Sequence, residues 1–139
     1  MKSRRIYVIG SLRNPQVVEV ANRLEAAGHE VFADWYGAGE IADDSWQAYE
    51  TARGRTYFEA LRGPAARNIF EFDKHWLDWA DTAVLVLPCG KSGHMEFGRA
   101  VGKELDTYVL FDEMPARWDQ MYQFANGFMV DVEELIERL

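Results

Sequence analysis

Two apolar runs that do not alternate constrain this chain most: Ile6-Tyr7-Val8-Ile9, ended by Gly10, and Thr82 to Leu87, ended by Pro88. A strand with one face in water alternates apolar and polar residues, so unbroken runs of this length fit strands covered on both faces. Such strands build parallel sheets with helices packed above and below. The first intervening segment agrees. Pro15 stands where an opening helical residue tolerates proline, and Val17, Val20, Ala21 and Leu24 recur at helical spacing until Gly28. Glu30 to Ala33 is the expected second strand, and the loop Asp34 to Gly39 follows at its carboxyl end.

Residues 43 to 62 suit a helix interrupted at Gly54, with Gly63-Pro64 breaking the pattern, and read as an inserted helical lid. A further helix, Ala66 to Ala80, carries Ile69, Phe70, Asp73, Trp76, Leu77 and Ala80 on one broad face. After the third strand, a Ser92-Gly93 turn opens a helix to Lys103. Asp106 to Phe111 is expected as a fourth strand, Trp118 to Phe124 as a short helix and Gly127 to Val130 as a fifth strand. Val132 to Leu139 then forms a terminal helix capped by Asp131. The sum is one α/β domain, residues 1–139, with a flavodoxin-like (Rossmann-like) five-stranded parallel sheet, helices on both faces and a helical insertion after the second strand. Strand order 2-1-3-4-5 puts the reversal of winding between the first and third strands, where open sheets of this kind bind ligands.

Two loops flank that point, Gly10-Ser11-Leu12-Arg13 and Pro88 to Gly93. The first offers a tight turn, a hydroxyl and a guanidinium able to grip a phosphate or carboxylate in bidentate fashion; the plain alternative is a solvated Arg and a Ser that caps the next helix. The second presents free backbone N–H groups to an anion at a helix start. Glu96 follows in the expected first turn, where the dipole favours an ionised carboxylate fit for nucleophilic attack; as a structural residue it would simply stabilise the helix. Asp73 is the odd polar member of an apolar face, expected near the start of its helix and facing the same crevice, and if buried it must be hydrogen-bonded. Together the two acids make the carboxylate pair that cleaves a glycosidic bond through an oxocarbenium-like transition state. His94 is a candidate ligand contact or a cap. Trp35 and Trp46 are candidates for stacking on a base, or ordinary core residues.

A net charge of -8 argues against wrapping a nucleic-acid polymer. The single cysteine, Cys89, excludes an intrachain disulfide and fits a reducing compartment, and the thiol reads as a small buried hydrophobe. His29, His75 and His94 lack metal-ligand spacing, so neither a metal nor another cofactor is expected. His29 reads as a loop residue. The basic start, Met1-Lys2-Ser3-Arg4-Arg5, precedes an apolar run too short for a leader or membrane span, so a cytoplasmic protein without a membrane partner is expected.

With these residues placed, the chain resembles the nucleoside 2-deoxyribosyltransferase superfamily, and its hydrolytic branch, the 2′-deoxynucleoside 5′-monophosphate N-glycosidases, more closely. The likeness rests on Tyr7-Val8-Ile9-Gly10-Ser11-Leu12-Arg13, on Asp73 in the helix before the third strand, and on a Gly-containing turn followed by Glu96-Phe97-Gly98-Arg99-Ala100. The resemblance implies that Glu96 attacks C1′, that Tyr7 positions it and that Asp73 assists at base or sugar. Gly10, Ser11, Arg13, Ser92, Gly93 and His94 would line the substrate, with Ser11, Arg13 and Ser92 on its 5′-phosphate. Where the family's transferases carry an Asp soon after the third strand, this chain has Pro88-Cys89-Gly90.

The expected activity is therefore release of free base from a (deoxy)nucleoside 5′-monophosphate. The alternatives are base exchange between nucleosides, cleavage of an NAD-type dinucleotide, or a non-catalytic nucleotide sensor. The resemblance also implies a homodimer or higher homo-oligomer, with Phe124 to Leu139 as an expected contact segment.

Overall fold

The two unalternating runs lie side by side. In the computed structural model, which describes residues 2–139 and leaves Met1 outside, they form β1 (Arg5–Ile9) and β3 (Thr82–Val86). These pair in parallel with Tyr7 opposite Ala83 and Ile9 opposite Leu85. β2 (Glu30–Phe32) flanks β1, and β4 (Asp106–Leu110) and β5 (Gly127–Met129) follow beyond β3, so the parallel sheet has the order β2-β1-β3-β4-β5. The winding reverses between β1 and β3, as expected for that order.

Burial on both faces explains the lack of alternation. Ile6, Val8, Val84 and Val86 face one core layer with α1 (Gln16–Ala26) and α6 (Val132–Arg138), through Val17, Val20, Leu24 and Leu135. Tyr7, Ile9, Ala83 and Leu85 face the opposite layer with α4 (Pro64–Trp79) and α5 (Lys91–Gly102), through Leu77, Phe97 and Ala100. Trp35 packs against both layers.

Three boundaries depart from expectation. The insertion is two helices, α2 (Ala42–Ala52) and α3 (Tyr57–Leu61), because Gly54 adopts φ +74° and Thr56 then starts a new helix in a reciprocal capping box with Glu59. Gly63-Pro64 does not break a helix but opens one, with Gly63 as N-cap and Pro64 at the first position. The segment expected as a helix at Trp118 to Phe124 is a 3-10 turn, Gln120–Phe124, capped by Asp119, whose side chain accepts the Met121 N–H at 2.8 Å.

The insertion is anchored on a buried acid. Glu50 accepts hydrogen bonds from Arg55 at 2.6 Å and from the Trp46 indole N–H at 3.1 Å. Asp78 of α4 accepts from Lys74, from Arg99 of α5 and from Lys103, the residue that follows α5. His29 is more than a loop residue: it is buried, and its Nδ1 accepts the Arg4 N–H at 3.1 Å. The expected contact segment splits, with Met129 and Leu135 in the chain's own core and Phe124, Phe128 and Val130 exposed. Among the described residues no helix is long and apolar enough to cross a membrane.

Candidate active site

A hydrogen-bonded Tyr–Glu pair joins the middle of β1 to α5. Tyr7, fully buried in β1, donates its hydroxyl to Glu96 Oε2 at 2.7 Å. The sheet's alternation sends Tyr7 toward the α4/α5 layer, where its ring lies 5.4 Å from that of Phe32, and α5 brings Glu96 over it. Burial, Glu96's charge and the hydrogen bond all push the Tyr7 pKa well above the phenolic range, so it stays an O–H donor at every working pH.

Glu96 does not have the freely ionised character expected of a first-turn acid. It is the sixth residue of α5, past the turn where the dipole acts. Burial pushes its pKa up from the ordinary 4.5 to about 7, the Tyr7 hydrogen bond opposes that rise, and the charge of Asp73 adds to it. Asp73 is itself raised by burial. It does not lie near the start of its helix: because α4 begins at Pro64, Asp73 falls beyond the middle, and its position over the sheet rather than the dipole brings it to Glu96. Two acids within electrostatic reach of each other, both displaced upward, make a candidate pair for proton or nucleophile chemistry.

The raised carboxyl has a measurable consequence. Between pH 4.5 and about 7 the folded chain holds a proton on Glu96 that the unfolded chain has lost, so stability falls as pH rises through this window. The loss is about 3 kcal/mol at full effect. Urea midpoints measured from pH 4 to 8 should show this decline in the wild type and a flatter profile in Glu96→Gln; parallel profiles would contradict it.

The flanking loops are built for close approach. A Cβ at Gly10 would meet Val17 Cγ2 at 2.6 Å, with the Trp35 ring and the Val86 carbonyl close behind. Ser11 Oγ accepts the Arg13 N–H at 3.1 Å, which folds the loop and leaves the Arg13 side chain exposed. A Cβ at Gly93 would run into Cys89 Sγ and come 3.2 Å from Ile9 Cγ2. Ser92 is exposed in the first turn of α5, and no side chain caps that helix. His94 is a brace: Nδ1 pairs with the Gly90 carbonyl at 2.8 Å and Nε2 with the Tyr122 hydroxyl at 2.9 Å, so both ring nitrogens are engaged within the chain.

The structure thus brings Tyr7, Asp73 and Glu96 together, with Gly10, Ser11 and Arg13 on one flank and Ser92, Gly93 and His94 on the other. The tryptophans divide. Trp35 reaches the Gly10 turn but spends its indole N–H on the Val8 carbonyl at 2.8 Å. Trp46 has its partners, Glu50 and Tyr57, inside the insertion. Asn14 was not singled out by its sequence context, yet it is buried beside the Arg13 loop, with Oδ1 accepting the Gln16 N–H and Nδ2 unpartnered. Cys89 is half-buried, its thiol pushed up by burial and then by Glu96's charge, against the Gly90 and Gly93 amides. Among the described residues no group of three His, Cys, Asp or Glu is placed to hold a metal ion.

No protein-family model and no curated protein matches this chain. Among solved structures it is similar to the 2-deoxyribosyltransferase from the psychrotolerant bacterium Bacillus psychrosaccharolyticus, with a TM-score of 0.62. The two chains share a fold. The match covers 94% of this chain and 89% of the other at 13% sequence identity, so it concerns architecture alone.

Proposed function

We propose that this chain is an N-glycosidic-bond enzyme of the nucleoside 2-deoxyribosyltransferase superfamily, and that it hydrolyses a (deoxy)nucleoside 5′-monophosphate. The Tyr7–Glu96 hydrogen bond beside Asp73, at the point where the winding reverses, carries this reading. Ionised Glu96 attacks C1′ as the C1′–N bond breaks, and the electron pair leaves on the base, which takes up a proton from water. Water then attacks C1′ of the glycosyl ester, the carboxylate is released and the remaining proton passes to solvent. Tyr7 holds one carboxylate oxygen so that the other faces the sugar. Asp73 binds the substrate at the base or sugar hydroxyls. Ser11, Arg13, Ser92 and the uncapped start of α5 bind the phosphate. The work is done as a homodimer or larger homo-oligomer in the cytoplasm, on small nucleotides rather than a polymer.

The shared fold with a deoxyribosyltransferase favours a second reading, transfer of the sugar to another base in place of water. Arg13 separates the two. Arg13→Ala should lower kcat/KM for 5′-monophosphates about ten- to a hundredfold, the worth of a charge-assisted hydrogen bond, and leave unphosphorylated nucleosides nearly unaffected. Chromatography of released base, with and without an added acceptor base, reads both. A wild type that prefers free nucleosides and transfers their sugar to the acceptor would establish base exchange instead.

A further inference from the structure

A cavity lies beside the turn that opens α5. Cys89, whose thiol senses the charge of Glu96, forms part of the wall of a pocket of about 670 Å³ at the carboxyl ends of β3, β4 and β5. Its other walls include the rings of Phe111, Trp118, Tyr122 and Phe128. The His94 bridge from Gly90 to Tyr122 ties this aromatic wall to the turn at the start of α5, so the two sites share one partition. Trp118 is 88% exposed and Phe128 55%, two large rings turned to solvent. The lining carries the acids Asp112, Glu113 and Asp119 and, among the described residues, one basic side chain, Arg117.

We propose that this pocket receives a second aromatic group carried on the 5′-phosphate of the cleaved nucleotide, so that the substrate class extends to 5′,5′-dinucleotides. The inference rests on the reading above, in which the phosphate lies at the α5 turn. A phosphate held there has its ester oxygen and the glycosidic bond on the Glu96 side and a non-ester oxygen, the one that would bridge to a second phosphate, on the Cys89 side, and the volume suits a nucleoside-sized group. Arg117 meets the second phosphate. The rings stack on the second base, and the carboxylates accept from its exocyclic amino group, which favours an amino-bearing or cationic base over an acidic one.

The test compares a 5′-monophosphate with its symmetrical 5′,5′-linked dinucleotide, deoxyadenosine and adenosine pairs alike. Calorimetric titration of Glu96→Gln measures affinity without cleavage, and base release by the wild type measures turnover. The dinucleotide should bind roughly ten- to a hundredfold tighter than the monophosphate, the range that base–aromatic stacking supplies, and Trp118→Ala in the same background should bring the ratio toward one. Equal or weaker dinucleotide binding overturns the proposal, as does a ratio that Trp118→Ala leaves unchanged. So does sedimentation showing a dimer that Trp118→Ala dissolves while dinucleotide gains nothing, since a second copy then covers the rings. Tighter dinucleotide binding without base release from either ligand would leave the pocket standing and remove the hydrolase reading instead.

Discussion

Glu96→Gln should abolish base release, with a loss of about four orders of magnitude or more in kcat, because in the proposed mechanism Glu96 is the nucleophile. The amide is nearly isosteric and its carbonyl can still accept from Tyr7, so the crevice keeps its shape. Ligand binding should therefore survive, and single-turnover assays with saturating nucleotide separate the two effects. In the proposed mechanism the same group sets the pH dependence of the wild type: the attack needs ionised Glu96, so activity should rise with pH through about 7. Wild-type-like turnover by Glu96→Ala would remove the glycosyl-enzyme mechanism outright.

Asp73→Asn lowers turnover about a hundred- to ten-thousandfold, the range for losing a positioned acid or base. The fold should tolerate the change. Burial already raises the Asp73 pKa, so an uncharged amide relieves a cost at pH 8 rather than leaving a charge unpaired. Removing the charge also lowers the Glu96 pKa, so the acid limb of the residual activity should move to lower pH. Thermal melts beside the pH profile decide the case. A large drop in Tm with normal specific activity would make Asp73 a structural residue, and an unmoved acid limb would show that it does not act on Glu96.

How legible these features are in the sequence depends on the range of the interactions that set them. Ile6 to Ile9 and Thr82 to Leu87 announce central strands because burial on two faces writes itself into consecutive residues. Strand order follows from there by chirality. Tyr7, Asp73 and Glu96 are visible as residue types in order, but Glu96's ionisation is not, since it depends on what α4 and α5 exclude from the crevice. The start of α4 turns on whether Gly63-Pro64 ends one helix or begins another, and both roles suit that dipeptide. The engagement of both His94 nitrogens needs Tyr122, twenty-eight residues away. Likewise the aromatic pocket beside Cys89 is assembled from three strand ends and one loop, with no local signature in any of them.

Glu50 bears on how such a protein diversifies. Its two partners, Trp46 and Arg55, lie on the insertion itself, so the cap closes its polar hub internally instead of borrowing a group from the sheet. Such a segment can be lengthened or trimmed at its α2 end with Tyr7 and Glu96 left on their strand and helix, while α3 stays packed on α4. Selection can then vary residues 42–61 while the strand that carries Tyr7 and the helix that carries Glu96 stay as they are.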